Sequence, residues 1–144
     1  MFTTCDEIAE DVQTCQDLGI KILVSLGGAS DVSLNSSASA VDFADFLWGA
    51  YGPEQDTTET AYPRPFGSTI VDGFDLDIES GSDAYYSDLV TELRVKFATY
   101  ADKSFYISGA PQCVVPDAHL DSAISNSYFD YVYVDWKGSC NHKD

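Results

Sequence analysis

Three acidic residues alternate with apolar ones in the stretch Asp72-Gly73-Phe74-Asp75-Leu76-Asp77-Ile78-Glu79. Side chains on a β-strand point alternately to its two faces, so Asp75, Asp77 and Glu79 are predicted to share one face. Neighbouring acids on that face would lie about 6.6 Å apart, from a rise of about 3.3 Å per residue. The pattern therefore predicts a column of carboxyl groups on one face of the strand and a column of apolar side chains on the other.

This column of acids is suited to proton transfer. Burying a carboxylate is unfavourable unless the group is paired or protonated, and no basic residue lies nearby in the sequence. We therefore expect the acids to share protons, which raises some of their pKa values. A carboxylic acid that stays protonated near neutral pH can act as a general acid. Glu79 lies nearest the C-terminal end of the strand, where parallel α/β folds place their active sites.

Two other interpretations of the acids are open. Hard cations such as Ca²⁺ and Mg²⁺ bind several carboxylate oxygens, but the residues between these acids are Phe, Leu and Ile, and the glycine of an EF-hand loop is missing. A solvated acidic face on an edge strand would require no chemistry at all. Catalysis without a metal or another cofactor is the interpretation we adopt.

Helices and strands alternate along the chain, which predicts one α/β domain with parallel strands and right-handed crossovers. The predicted strands span residues 20–26, 69–79, 104–110 and 129–136, and the predicted helices span residues 5–18, 39–51, 83–101 and 119–125. Ser39 is the expected N-cap of the second helix, and Ser82 or Asp83 that of the third.

Composition excludes several classes of function. The 144 residues include 7 Lys and Arg and 24 Asp and Glu, for a formal charge of −17. This charge repels nucleic acids and anionic lipid surfaces. No apolar run approaches the ~20 residues that span a bilayer, and the first residues lack the basic and apolar regions of a signal peptide. We expect neither a nucleic-acid nor a membrane partner.

Two sequence motifs of this chain resemble those of a known family. Asp72-x-x-Asp75-x-Asp77-x-Glu79 resembles the signature of the family-18 glycoside hydrolases, the chitinases, and Ser25-Leu26-Gly27-Gly28 resembles that family's second signature. Further stretches resemble the plant and fungal endochitinase branch of the family: Cys15-Gln16, Ala110-Pro111-Gln112-Cys113, Pro116-Asp117-Ala118-His119-Leu120 and Phe129-Asp130-Tyr131-Val132.

The resemblance implies a (β/α)₈ barrel, of which this chain contains only part. The four predicted strands correspond to barrel strands three to six, so residues 1–144 represent the central half of the catalytic domain. Half a barrel leaves two strand edges and an apolar interior exposed. We therefore expect association through the exposed barrel edges, and weak or no hydrolysis by the chain alone.

The resemblance also implies the chemistry, which is retaining hydrolysis of β-1,4-linked N-acetylglucosamine polymers. Glu79 would protonate the glycosidic oxygen, Asp77 would orient the substrate's acetamido group, and Asp75 would hold or exchange a proton with Asp77. Asp72 is expected to cap or orient the strand instead. The implied substrate-binding residues are Gly27, Gly28, Gln112 and Trp136. A simple turn at the two glycines and a core position for Trp136 are the alternatives.

One segment departs from the resembling enzymes. They read Gln-Phe-Tyr-Asn where this chain has Asp135-Trp136-Lys137-Gly138, so a tyrosine that contacts the acetamido group is missing. The rival hypotheses are a non-catalytic carbohydrate-binding protein of the same fold and an inhibitor or interaction module descended from the same barrel. Carbohydrate-binding relatives typically lose the acid at the position of Glu79, and the intact column of acids argues against both rivals.

Four cysteines suggest an oxidising compartment, and their pairing cannot be deduced from spacing. The resemblance implies a secreted protein in which Cys113 is bonded to Cys140. It leaves two alternatives for Cys5 and Cys15, which are either free or bonded to each other.

Overall fold

Four short strands form a parallel sheet in a computed structural model that describes residues 5–30, 32–53, 62–136 and 140. The strands are β1 (Leu23–Gly28), β2 (Gly73–Ile78), β3 (Tyr106–Gly109) and β4 (Tyr131–Val132). They are hydrogen-bonded in the order β1-β2-β3-β4, and every pair is parallel. The prediction of an α/β fold with four parallel strands is confirmed, and the sheet of the described residues is open, as in part of a barrel.

Helices supply the crossovers that parallel strands require. Helix α1 (Asp6–Asp17) precedes β1, and α2 (Ser37–Tyr51), α3 (Tyr86–Phe97) and α4 (Asp121–Asn126) each lie between successive strands. Within the described ranges, none of these helices has the length and apolarity needed to cross a membrane.

The apolar column of β2 forms the centre of the core. Phe74, Leu76 and Ile78 are at most 2% exposed, and the ring of Phe74 stacks on Phe97 of α3 with the ring centroids 6.3 Å apart. Burying each of these side chains contributes about 1.5–3 kcal/mol. The core therefore fixes which face of β2 turns toward the helices, and the acids occupy the other face.

Both predicted N-caps are wrong by a few residues. Ser36, not Ser39, caps α2: its Oγ accepts the N–H of Ser39 at 3.1 Å, and the Ser39 Oγ accepts the N–H of Ser36 at 3.0 Å. Ser39 is thus the second partner of a reciprocal capping box. The N-cap of α3 is Tyr85, at φ +66°, whereas Ser82 only accepts the N–H of Ala84 in the preceding turn. Several hydroxyl and carboxyl residues precede each helix, and tertiary packing chooses among them.

The predicted strand 129–136 is shorter than expected. Only Tyr131 and Val132 form a regular strand, and an isolated bridge between Gln112 and Asp135 follows it. Arg94 of α3 holds this segment in place, because its Nη2 donates to the carbonyl of Tyr128 at 2.8 Å and to Asp130 at 2.7 Å. Among the described residues β4 pairs with β3 alone, so its alignment depends on this contact with a helix.

The cysteine pattern agrees with the expectations. Cys113 and Cys140 form a disulfide with their Cα atoms 5.4 Å apart, as the resemblance implied. Cys5 and Cys15 are both free, so the alternative in which they are bonded to each other is wrong.

Asp72 ties the N-terminal ends of the strands together, which confirms the prediction that it orients β2. Its side chain is only 3% exposed. Oδ2 accepts the N–H of Ile22 at 2.9 Å and Nε2 of Gln16 at 2.8 Å, and the Lys103 ammonium lies 3.2 Å from Oδ1. One carboxylate thus joins β2 to α1, to the chain entering β1 and to the chain entering β3.

We expect Asp72→Asn to destabilise the protein in a pH-dependent way. Burial alone raises the pKa of Asp72, but the hydrogen bonds from Ile22, Gln16 and Lys103 outweigh it and hold the pKa below its ordinary value. The stabilisation is therefore fully present above the unfolded pKa of about 4 and is lost as the pH falls through the folded pKa. Urea unfolding at pH 7 should give a loss of about 2–3 kcal/mol.

At pH 3 the loss caused by Asp72→Asn should be smaller than at pH 7. Asp42→Asn on the exposed face of α2 makes the same charge change and is the matched control, with an expected effect within about 0.5 kcal/mol. An equal destabilisation by Asp72→Asn at both pH values would contradict the ionic role assigned to Asp72.

Candidate active site

The acid column of β2 lies on the open face of the sheet. Along Gly73–Ile78 the exposure alternates, so that Phe74, Leu76 and Ile78 are buried while Asp75 and Asp77 are half-buried. Glu79 follows the last strand residue directly and is also partly exposed. The predicted division of β2 into an apolar face and an acidic face is confirmed.

Asp75 is held from both sides by hydroxyl groups. The parallel register sets Ser25 of β1 and Ser108 of β3 beside it. The Ser25 Oγ donates to Asp75 Oδ2 at 2.7 Å, and the Ser108 Oγ donates to Oδ1 at 2.6 Å. Both carboxyl oxygens therefore have a partner, and the Asp75 side chain is fixed in one orientation.

These serines were missed as site residues by sequence reasoning. Ser25 belongs to the motif Ser25-Leu26-Gly27-Gly28, of which only the glycines are predicted to bind substrate, and Ser108 is a buried polar residue in a short strand. Side chains alternate between the two faces of β1 and β3. This alternation, together with the register of the strands, identifies Ser25 and Ser108 as neighbours of Asp75. The register is a tertiary property, so a single strand does not reveal it.

Small residues flank Asp77 in the next row of the sheet. Gly27 of β1 pairs with Asp77. On the other side, Leu76 pairs with Gly109, and Gly109 pairs with Val132. The next residue of each strand follows the same order, so Ala110 lies beside Asp77 and Tyr133 lies beyond Ala110. Glycine and alanine leave the space beside Asp77 unfilled, so an open cleft forms there.

The cleft has a volume of about 390 Å³ and contains all three predicted acids. Its lining residues are Asp75, Asp77, Glu79, Ala110, Tyr133, Val134 and Asp135. Tyr133 and Asp135 come from the segment around β4 and were not predicted as site residues. The structure thus brings the acid column together with two polar side chains from the segment that follows β4, two strands away from β2.

Gly27 and Gly28 both have positive φ, +103° and +66°. A Cβ on Gly27 would lie 2.4 Å from the carbonyl oxygen of Asp77, whereas a Cβ on Gly28 would come no closer than 3.9 Å to the Asp77 Oδ2. Gly27 therefore lets β1 approach the acid-bearing strand. Contact of either glycine with a ligand stays a prediction.

Gln112 and Trp136 lie at the border of the cleft or beyond it. Gln112 lines a separate cavity of about 190 Å³, and its N–H donates to Asp117 Oδ2 at 3.0 Å. Trp136 is 73% exposed, so the alternative of a core tryptophan is wrong for the described residues. The structure does not bring Gln112 into the acid cleft, and it leaves the ring of Trp136 accessible.

Three tyrosines accompany the acids on the open face. The rings of Tyr106 and Tyr131 are 6.0 Å apart, and those of Tyr131 and Tyr133 are 6.1 Å apart. Lys21 lies 5.8 Å from the ring of Tyr106 and lines a cavity with Asp75. A basic residue thus borders the acid column in space, although none is close in the sequence.

Comparison with known proteins gives one consistent family. The model of the family described as glycosyl hydrolases family 18 matches residues 4–136. The chain is 50% identical over 137 residues to Endochitinase A of Aspergillus niger, an alignment that covers 93% of this chain and 11% of the Aspergillus protein.

Solved structures agree with the sequence comparison. The ICChI chitinase from Ipomoea carnea superimposes with a TM-score of 0.79 at 34% identity, over 90% of this chain and 46% of the other. The xylanase and alpha-amylase inhibitor protein XAIP-II from Scadoxus multiflorus gives a TM-score of 0.78 at 32% identity, over 90% and 46%. The chain spans less than half of both solved chains and a smaller share of the Aspergillus protein.

Proposed function

The chain belongs to family 18 of the glycosyl hydrolases, and we propose that it carries the acid–base centre of a chitinase that cleaves β-1,4 linkages between N-acetylglucosamine units. The observation that carries this proposal is the position of Glu79, which lies at the C-terminal end of β2 in one cleft with Asp77 and Asp75. The similarity to Endochitinase A of Aspergillus niger supports chitin as the substrate class.

In the first step Glu79 donates its proton to the glycosidic oxygen. The acetamido oxygen of the substrate attacks the anomeric carbon, the bond from that carbon to the glycosidic oxygen breaks, and the leaving sugar departs as an alcohol. In the second step ionised Glu79 removes a proton from water as the water attacks the same carbon, and the bond from that carbon to the acetamido oxygen breaks, which restores the acetamido group. Two displacements at one carbon retain its configuration.

Asp77 is assigned to orient the acetamido group and to stabilise the positive charge of the intermediate. Its neighbours Gly27 and Ala110 are small, which leaves space beside it for that group. Electrostatic stabilisation of a charge that develops in the transition state is effective when the group is held in place beforehand. Asp77 is a residue of β2 that pairs with Gly27 of β1, and this fixed backbone position supports the assignment.

Asp75 is assigned to hold or exchange a proton with Asp77. Its two serine partners are suited to this exchange, because a hydroxyl group both donates and accepts hydrogen bonds. When Asp75 is ionised, Ser25 and Ser108 donate to it, and when it is protonated one of them accepts. Either state keeps the side chain in the orientation that the hydrogen bonds define.

Four strands of a barrel give only part of a substrate cleft. We propose that residues 1–144 are the central half of a family-18 barrel, that the exposed edges at β1 and β4 associate with further strands, and that the chain alone hydrolyses its substrate slowly. Secretion is part of the same proposal and is supported by the disulfide between Cys113 and Cys140.

Carbohydrate or protein binding without catalysis is the second candidate. The similarity to a xylanase and alpha-amylase inhibitor protein favours it, and so does the absence of a tyrosine at the position of Lys137, a residue outside the described ranges. The presence of Glu79 and its position in the cleft support hydrolysis instead.

Incubation of the chain with chitotetraose or chitohexaose, followed by proton NMR of the products, tests the proposal. We expect slow release of shorter oligosaccharides whose new reducing ends first appear in the β configuration. Products that first appear as the α anomer would contradict the substrate-assisted mechanism. Retention of the chain on insoluble chitin without any product would favour the binding protein.

A further inference from the structure

Tyr133 lines the acid cleft on the side opposite Asp77. The hydrogen bonding of β2 with β3 continues past their last regular pair, because the N–H of Ala110 donates to the carbonyl of Leu76 at 2.8 Å. The pairing with β4 continues in the same way, since the N–H of Tyr133 donates to the carbonyl of Gly109 at 2.9 Å. Ala110 therefore lies between Asp77 and Tyr133, and all three residues line the cleft.

The cleft extends from Asp77 toward β3 and the segment that follows β4. Among the described residues, none of the lining side chains comes from β1. The methyl group of Ala110 lies between Asp77 and Tyr133, and a methyl group is too small to fill the space between a carboxyl group and an aromatic ring. A ligand group held above Ala110 would meet a polar side chain on one side and apolar surface on the other.

Neighbouring rings hold the ring of Tyr133 in place. It lies 6.1 Å from the ring of Tyr131 at an interplanar angle of 21°, and the ring of Tyr131 lies 6.0 Å from that of Tyr106. Tyr133 nevertheless remains 62% exposed, so most of its surface is not used in the core. The next residue, Val134, is also exposed and lines the cleft. Tyr133 and Val134 thus give the cleft an accessible apolar side.

The acetamido group of the substrate matches this pair of surfaces. Its N–H donates a hydrogen bond, for which the carboxylate of Asp77 is an acceptor, and its methyl group requires an apolar contact. We propose that the ring of Tyr133 contacts this methyl group above Ala110 and selects the N-acetyl substituent, an inference that rests on the proposed function of the cleft. The resemblance does not imply this contact, because the acetamido-binding tyrosine of the resembling enzymes stands at the position of Lys137.

The acyl preference of hydrolysis by Tyr133→Ala tests this inference. The substrates are a fluorogenic chitobiose glycoside and its analogue with a propionyl group in place of the acetyl group on the reacting sugar. A pocket fitted to a methyl group disfavours an extra methylene, so the unmodified chain should prefer the acetyl substrate by about tenfold in kcat/KM. In Tyr133→Ala the preference should fall to about twofold or less, because the space beyond the methyl group is open. Its kcat/KM for the acetyl substrate should fall about fourfold, from the lost burial of one methyl group.

Two further variants separate recognition by the ring from packing. Tyr133→Phe keeps the ring and should retain the preference of about tenfold. Tyr131→Ala removes a neighbouring ring that lies outside the acid cleft, so it should lower the rates for both substrates equally and leave their ratio unchanged. An unchanged preference in Tyr133→Ala would overturn the inference, and so would an equal loss of preference in Tyr131→Ala or in Tyr133→Phe.

Binding of the two acyl forms gives a readout that does not depend on turnover. In Glu79→Gln, NMR titration with chitotriose and with its N-propionyl analogue should give dissociation constants that differ by about tenfold, and adding Tyr133→Ala should remove most of this difference. If no variant hydrolyses its substrate, the proposed function fails, while the dissociation constants still decide the role of Tyr133. Equal dissociation constants for the two sugars in Glu79→Gln, or binding of neither, would overturn the inference.

Discussion

Replacing Glu79 with glutamine should lower the rate of chito-oligosaccharide hydrolysis by about 10³-fold. Glutamine has nearly the same shape but cannot supply a proton, and general acid–base catalysis contributes about 10²- to 10⁴-fold to enzymatic rates. The side chain is partly exposed and follows the last residue of β2, so we expect the variant to fold. Release of a fluorophore from a chitobiose or chitotriose glycoside measures the effect.

Glu10→Gln on the exposed face of α1 is the matched control for Glu79→Gln. It makes the same chemical change far from the cleft and should leave the rate unchanged. Binding to insoluble chitin should survive in both variants, which would locate the loss in the chemical step. If Glu79→Gln keeps more than a tenth of the rate, another group donates the proton and the assigned mechanism is wrong.

Replacing Gly27 with alanine should destabilise the protein by about 3 kcal/mol or more. The new Cβ would lie 2.4 Å from the carbonyl oxygen of Asp77, and the φ of +103° disfavours any side chain at this position. A clash with backbone cannot be relieved by a change of rotamer, so β1 must move away from β2. The same movement would separate Ser25 from Asp75 and should lower the rate of hydrolysis in the fraction that folds.

Gly28→Ala is the control for Gly27→Ala, because both replacements occupy neighbouring residues with positive φ. Here the added Cβ comes no closer than 3.9 Å to the Asp77 Oδ2, so only the backbone conformation is penalised, by about 1–2 kcal/mol. Urea unfolding of the two variants separates the clash from the conformational effect. Equal destabilisation would mean that the close approach of β1 to Asp77 is unimportant.

The acids could be identified from the sequence because one strand carries the whole pattern. Alternation of Asp75, Asp77 and Glu79 with large apolar residues requires only the period of a β-strand and a core on one side. The parallel order of the strands was equally predictable, since helices alternate with strands along the chain. These features depend on short-range geometry that each segment carries by itself.

The incorrect predictions concern features that depend on more than one segment of the chain. Ser36 and Ser39 are both suitable N-cap residues, and the packing of α2 selects Ser36. Residues 129–136 are predicted to form one strand, but only Tyr131 and Val132 form a regular ladder, because β3 is the one strand among the described residues that pairs with β4. Secondary-structure propensity describes which element a segment can form. The elements packed beside the segment determine how many of its residues adopt that element.

The sequence by itself determined the family, the α/β fold and the face on which three carboxyl groups lie, because these follow from local periodicity and from motifs within single segments. Only the tertiary structure decided that Ser25 and Ser108 hold Asp75 and that Asp135 shares the cleft with Glu79. These residues come from segments that are distant in the sequence, and the register that aligns the strands results from packing of the whole sheet. The physical origin of this register is the burial of one sheet face under the helices, which leaves the opposite face open for chemistry.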